Sequence, residues 1–338
     1  MRALALDYDS LALAECEISV PVLYAPDEVL FRVHECGVCG TDRELARFRF
    51  GMPPDGERKL VLGHEALGQV VETGSAAVGF QRGDWVVPMV RRGCAPACAC
   101  CARGRRDLCI SGGFRERGIY GAHGYFVEYA VDSAVDLLRV PDGLAEIGVL
   151  IEPMSVVEKA LELGLAAHRN EPRTALVMGA GPVGLLAAML FQLRGYDVTL
   201  SSLEEEDHPR ARLVKDAGVL YCRSLGGMKF DVVVEACGSA AAVFAAIEAL
   251  GPCGAMVVLG APDAYGEMPF LKMIINNQTL LGSVNASPEH FAAAIADLQR
   301  LDRRILTRVL ERRRYLDARK TILSPAGDES KAVHVIAE

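Results

Sequence analysis

With 338 residues, 51% of them hydrophobic, the chain is too long for one ordinary core and too apolar for disorder, so two folded domains are expected. A formal net charge of −8 excludes a general nucleic-acid binder, because phosphate binding needs concentrated positive charge. Asp7 and Asp9 interrupt the short apolar start before a secretory signal forms, so a cytoplasmic location is expected, and the eleven cysteines read as metal ligands and buried free thiols rather than disulfides.

The first part of the chain reads as β-rich, with β-prone runs at Val29 to Val33, Gln69 to Glu72 and Trp85 to Pro88 separated by glycine, proline and charged turns. Between these runs lie Gly37-Val38-Cys39-Gly40-Thr41-Asp42 and Gly63-His64-Glu65. A sulfur and an imidazole are zinc ligands, and glycines on both sides permit the tight turns that bend short polar segments toward one centre. Taken singly, Cys39 reads as a small buried hydrophobe and His64 as a hydrogen-bonded core histidine. Glu65 has three possible roles, as a direct ligand, a group exchanging with water, or a hydrogen-bond partner of a ligand, and the sequence leaves them open.

A second cysteine-rich segment follows, with Cys94, Cys98, Cys101 and Cys109 on a loop and Cys100 as a spare. Four thiolates make a closed, structural zinc site rather than a catalytic one. The irregular spacing after Cys94 leaves open whether Cys94 or Cys100 completes it.

A helix is expected over Ser155 to Leu163, stopped by Gly164, with Glu152 before Pro153 as a cap. A polar link, Arg169 to Arg173, leads to alternating strands and helices. These are strand Thr174 to Met178, helix Pro182 to Leu193, strand Asp197 to Ser201, helix Pro209 to Ala217, strands Val219 to Cys222 and Phe230 to Glu235, helix Ala240 to Leu250, and strands Ala255 to Leu259 and Thr279 to Gly282. Such alternation implies βαβ units in a doubly wound parallel sheet. The uncharged stretch from Ala175 to Phe191 is therefore strand, turn and buried helix, not a membrane span, and no membrane partner is expected. Gly179, Gly181 and Gly184, with Pro182 and Val183 between them, sit at the first strand-to-helix turn, where amides at a helix start can face a pyrophosphate. At the end of the next strand, Ser202 and Glu204 should meet the adenosine ribose. A carboxylate there accepts from the 2′-hydroxyl and repels a 2′-phosphate, which slightly favours NAD over NADP, although Arg210 or Arg212 can reach a phosphate. A helix is expected from His290 to Leu298, and the arginines at 303, 304, 308, 312, 313 and 314 read as a solvated helix face.

In the order GVCGTD, GHEALGQVVETG, four-cysteine loop and GAGPVG, the chain resembles the zinc-dependent medium-chain dehydrogenase/reductase superfamily over nearly its whole length. It looks most like the glucose dehydrogenase branch, through Arg91-Arg92-Gly93-Cys94, Gly104-Arg105-Arg106-Asp107-Leu108-Cys109, Glu116-Arg117-Gly118-Ile119, Ile151-Glu152-Pro153 and Gly282-Ser283-Val284-Asn285. The resemblance implies an α/β protein: a GroES-like β-rich catalytic domain over residues 1–153, a Rossmann domain over 154–285, and a C-terminal segment, about 286–338, that packs back on the first, with the active site in a cleft between domains. It implies that Cys39 and His64 bind the catalytic zinc with Glu65 and Glu152 around it, that Thr41 relays the substrate proton, and that Glu116 and Asn285 contact sugar hydroxyls. Glu116, on a charged loop, reads equally as a solvated carboxylate. Two departures stand out: an extra residue after Cys94, and the lack of the Asn-Arg pair of NADP-preferring relatives after the second strand.

The expected function is hydride transfer from an aldose such as glucose to NAD or NADP, giving the lactone. The alternatives are a zinc-dependent alcohol, polyol or amino-alcohol dehydrogenase, and, from another class, a regulatory nucleotide-binding protein without catalysis. An exposed strand at Thr279 to Gly282 would pair across a two-fold axis, so a homodimer or homotetramer is expected.

Overall fold

A computed structural model describes residues 1–168, 170–260, 268–325 and 330–336; Arg169, at the start of the expected polar link, lies outside them. The chain divides into two units, one of Met1–Glu152, Asn285–Leu298 and Leu310–Glu338, the other of Pro153–Val284 and Gln299–Val309.

The first unit is built on the strand Glu28–Gly37, whose Val29, Phe31 and Val33 alternate inward and are fully buried. It is longer than its apolar run because His34, Glu35 and Cys36 continue the ladder, pairing with Leu67 and Ala66 on one side and with Val335 and His334 on the other. In order, the sheet runs Leu137–Val140, Trp85–Pro88, Glu65–Thr73, Glu28–Gly37, Lys331–Val335 and Leu310–Arg314, with Tyr129–Ser133 also paired to Glu28–Gly37. Its register sets Gly37 opposite both Glu65 and Val333, so residues 266 apart in sequence meet at one end of three strands.

A buried ion network crosses this unit. The Tyr125 hydroxyl donates to Asp132 Oδ2 at 2.6 Å, Arg92 donates to Oδ1 at 2.6 Å, and Arg117 reaches Oδ2 at 3.3 Å with its guanidinium 4.7 Å from the Tyr125 ring centre. Burial alone would raise the Asp132 pKa, but Arg117 and Arg92 hold it below the ordinary carboxylate value. A depressed carboxylate contributes stability that is complete above its unfolded pKa of about 4 and is lost as pH falls through the folded value. The urea midpoint should therefore drop between pH 6 and pH 3. Asp132→Asn should cost about 3 kcal/mol at pH 6 by taking from Arg117 its carboxylate partner and leaving Arg92 paired with Asp136 alone, and should flatten that acid limb; an unchanged limb would assign acid sensitivity to other groups.

In the second unit a six-stranded parallel sheet runs Leu220–Cys222, Asp197–Ser201, Thr174–Met178, Phe230–Glu235, Leu250–Val258 and Thr279–Gly282. Its central strands are buried, as parallel strands covered on both faces must be. After Thr174–Met178 the chain turns through Gly179 at φ +107°, and Gly181 caps the helix Pro182–Leu193. A Cβ on Gly184 would collide with the Gly179 carbonyl, so the turn closes this tightly only with glycine there.

Three expectations are corrected. The helix expected from Ser155 to Leu163 runs Ile151–Ala167, starting early because Pro153 is tolerated in a first turn. Gly164 does not stop it: a Cβ there would lie 2.9 Å from Val232 Cγ1, so the glycine lets the helix approach the sheet. The C-terminal arginines do not share a helix face. Arg303–Val309 is helical, but Leu310–Arg314 is a strand in which Arg312 pairs with Glu35 at 2.5 Å and Arg313 with Glu311 at 2.9 Å. Residues 299–309, expected to pack with the first unit, group with the second.

Candidate active site

Cys39 leaves the end of the strand Glu28–Gly37 and caps the short helix Gly40–Leu45. The Thr41 amide donates to Cys39 Sγ at 3.2 Å, and the Cys39 amide donates to Asp42 Oδ2 at 2.9 Å, a reciprocal cap that fixes the thiol's direction. His64 precedes the strand Glu65–Thr73, and its Nε2 lies 3.0 Å from Cys39 Sγ. Its other ring nitrogen, Nδ1, is 3.6 Å from Asp42 Oδ1. One buried carboxylate thus accepts from the Cys39 amide and stands as a charge partner 3.6 Å from the imidazole, close to the place of the carboxylate that orients metal-binding histidines. Burial would lower the His64 pKa, but charge on Cys39 and on Asp42 raises it well above its ordinary value.

Glu65 completes a group with Cys39 and His64 in which one ligand atom from each lies within 4.8 Å of the others. Its carboxylate is held by the Lys331 ammonium, 2.5 Å from Oε1 and in contact with Oε2, both residues being buried. Burial would lower the Lys331 pKa, and Glu65 raises it instead. Glu152 is not within that 4.8 Å group. It is buried in the first turn of Ile151–Ala167, and burial, followed by repulsion from Glu65, pushes its pKa up to about 7. Thr41 is half-buried beside Cys39. A soft sulfur, an imidazole and a carboxylate, with one ligand atom from each within 4.8 Å of the others in a partly buried site, fit zinc.

Among the described residues the other such group is Cys94, Cys98, Cys101 and Cys109, also within 4.8 Å of one another. The Cys98 amide donates to Cys94 Sγ at 3.1 Å, and amides of Cys101 and Ile110 bring the Cys98 pKa down to about 5. Cys100 stands outside the group, and all eleven cysteines are free. Four sulfurs so placed suit a closed, structural zinc.

Glu116 is not a solvated carboxylate. It is 8% exposed, paired with Arg91 at 2.8 Å, and its Oε1 accepts from Asn285 Nδ2 at 2.5 Å. In the second unit, Gly179, Gly181, Pro182, Val183 and Gly184 form the strand-to-helix turn, leaving the first amides of Pro182–Leu193 available to an anion. After the neighbouring strand, Ser202 contacts Glu204 through its hydroxyl, and Glu204 Oε1 lies 3.3 Å from Arg210 Nη1.

Sequence reasoning passed over Asp42, Lys331 and Arg91. Asp42 carried a signal, an acidic residue three positions after a residue that caps a helix. Arg91 was quoted only as part of a motif, and Lys331 has no local signal because its partner is 266 residues away.

Comparison with known proteins agrees with this architecture. The family described as "Alcohol dehydrogenase GroES-like domain" matches residues 25–142, and "Glucose dehydrogenase C-terminus" matches residues 145–336. The chain is 37% identical to glucose 1-dehydrogenase of Thermoproteus tenax over 329 residues, 92% of each chain. It is 40% identical to glucose 1-dehydrogenase 2 of Vulcanisaeta moutnovskia over 288 residues, 81% of this chain and 80% of the other. Its fold matches Haloferax mediterranei glucose dehydrogenase in complex with NADP, Zn and gluconolactone with a TM-score of 0.90, 30% identity and full coverage of both chains. The chain belongs to the zinc-dependent medium-chain dehydrogenase/reductase superfamily, in its glucose dehydrogenase branch.

Proposed function

We propose that the protein is a zinc- and NAD(P)-dependent dehydrogenase that oxidises an aldose such as glucose at its anomeric hydroxyl to the lactone. The observation that carries this reading is the Cys39–His64 pair, 3.0 Å apart and backed by Asp42, in a chain whose structural relative is described with zinc, NADP and gluconolactone. Cys39 and His64 hold the catalytic zinc, with Glu65 and Glu152 as the neighbouring carboxyl groups. Zinc supplies Lewis acidity that lowers the pKa of a hydroxyl, and the nicotinamide supplies the hydride acceptor. Thr41 takes up the proton released from the substrate hydroxyl and passes it outward. Lys331 neutralises Glu65, so that Glu65, Glu152 and Asp42 do not accumulate uncompensated charge around the cation. Glu116 and Asn285 bind sugar hydroxyls, which is why a polyhydroxylated substrate is preferred over a simple alcohol. Initial rates with aldoses, polyols and simple alcohols, with NAD and NADP, before and after chelation, test this. Glucose turnover lost on chelation and restored by zinc is expected; turnover of alcohols or polyols and of no aldose would replace the sugar reading.

The amides following Gly181 bind the pyrophosphate, and Glu204 meets the adenosine ribose. Glu204, which contacts Ser202 and lies 3.3 Å from Arg210, supplies a carboxylate that would repel a 2′-phosphate, which favours NAD. Glu204→Gln should shift the ratio of kcat/KM for NADP over NAD upward by about tenfold, the scale of one charge contact; an unmoved ratio would place ribose recognition elsewhere.

We further infer a homodimer, or a tetramer built from it, acting in the cytoplasm. Thr279–Gly282 ends its sheet, and the nearby helix Phe270–Ile275 exposes Phe270, Leu271, Ile274 and Ile275. Light scattering at micromolar concentration should give at least twice the 36.3 kDa chain mass, and a monomer would contradict the inference.

A further inference from the structure

Arg91 and Glu116 face each other across a pair of very short strands, Arg91–Arg92 and Arg115–Arg117. The Arg91 guanidinium is anchored three ways. Its Nε and Nη2 lie 2.9 and 2.8 Å from Glu116 Oε1, its Nη1 donates to the Asp107 carbonyl at 2.9 Å, and its plane sits 4.0 Å from the Phe114 ring centre. Asn285 Nδ2 donates to the same Oε1 at 2.5 Å. Every described donor to this carboxylate converges on Oε1, so among the described residues Oε2 accepts no hydrogen bond. Asn285 Oδ1 likewise accepts none from them, while its amide nitrogen donates to Glu116. The result is a charge-neutralised, buried carboxylate with one oxygen saturated and the other open, beside an open amide oxygen. Two neighbouring acceptors suit two hydroxyls on adjacent carbons of a sugar.

We propose that Arg91 is a positioning residue for substrate recognition: it clamps Glu116 through Oε1 so that Oε2, with Asn285 Oδ1, accepts hydrogen bonds from a vicinal pair of sugar hydroxyls. The inference rests on the reading of Glu116 and Asn285 as sugar-binding residues. It also gives the four-cysteine loop a second task, because Arg91 lies three residues before Cys94 and its Nη1 is held by Asp107, two residues before Cys109. A planar guanidinium fits this role and an ammonium does not, since only the fork reaches the carboxylate and the carbonyl while stacking on a ring.

The test measures steady-state constants for D-glucose at saturating NAD in Arg91→Met, Arg91→Lys, Glu116→Gln and the double variant Arg91→Met/Glu116→Gln, with zinc content and circular dichroism as checks on folding. Glu116→Gln is expected to raise the glucose KM by about tenfold or more, and Arg91→Met by about ten- to a hundredfold, with kcat within about threefold and the NAD KM unmoved. Arg91→Lys should recover part of that loss. The double variant should be no worse than the poorer single one, because both changes remove the same acceptor. If Glu116→Gln raises the glucose KM while Arg91→Met binds glucose as tightly as the unaltered protein, the clamp is wrong and the sugar site stands. An unmoved KM in Glu116→Gln overturns the sugar site and the clamp with it. Should Arg91→Met fail to fold, Arg91→Lys decides alone: an unaltered glucose KM in the folded lysine variant overturns the proposal.

Discussion

His64→Ala should lower kcat/KM for glucose by at least about a thousandfold and remove one zinc per chain while leaving the protein folded. A metal acting as a Lewis acid supplies several kcal/mol to the transition state, and each 1.4 kcal/mol is about tenfold in rate. The loss should be concentrated in kcat, because the amides that follow Gly181 and the Glu116–Asn285 pair are untouched and continue to bind their partners. Asp42→Asn provides the graded companion. It keeps an acceptor for the Cys39 amide but removes the charge 3.6 Å from His64 Nδ1, so zinc affinity should fall by about ten- to a hundredfold without disappearing. Full activity with one zinc fewer per chain in His64→Ala would separate the metal from the chemistry.

In the zinc-free protein, Lys331→Met should be destabilising by about 3–5 kcal/mol, the cost of leaving a buried carboxylate without its cation. The pair is 4% and 3% exposed at its two side chains, and Glu152 and Asp42 carry further negative charge toward the same centre. Removing only the ammonium leaves Glu65 to be neutralised by protonation or to unfold its surroundings. Glu65→Gln in the same chain should recover most of the loss, since the burden is the unpaired charge rather than missing packing, and methionine replaces most of the lysine stem. Urea midpoints of the two single variants and the double variant settle the matter. A Lys331→Met protein within about 1 kcal/mol of the unaltered chain would mean that water, not Lys331, already stabilises Glu65.

Much of the architecture was readable because its signals are local. The alternation from Thr174 to Gly282 is written in apolar runs separated by glycines, and the strands Thr174–Met178, Asp197–Ser201 and Phe230–Glu235 fall where those runs lie. The departures arise where tertiary contacts override local pattern. Gly164 has the look of a helix end, yet its missing side chain serves contact with Val232, a residue 68 positions on. The arginine-rich stretch has helical spacing through Val309, but from Leu310 it is captured by Lys331–Val335 as a parallel strand partner, and sequence periodicity carries no record of that pairing. The same division holds for the site. Cys39 and His64 advertise themselves through residue type and glycine-rich context. Lys331, on which the charge balance of the cluster turns, is an ordinary lysine until the register of three strands brings it to Glu65. Glu116 looked equally like surface charge because a charged loop is usually solvated, and only the pairing with Arg91 and Asn285 reveals a buried acceptor.

The proposed chemistry depends on a cation held by Cys39 and His64. Anomalous diffraction at the zinc edge from crystals of the zinc-loaded protein tests it directly. A peak about 2.3 Å from Cys39 Sγ and about 2.0 Å from His64 Nε2 is predicted, together with a second among Cys94, Cys98, Cys101 and Cys109. Crystals of a protein that oxidises glucose, with anomalous signal in the four-cysteine loop and none between Cys39 and His64, would contradict it.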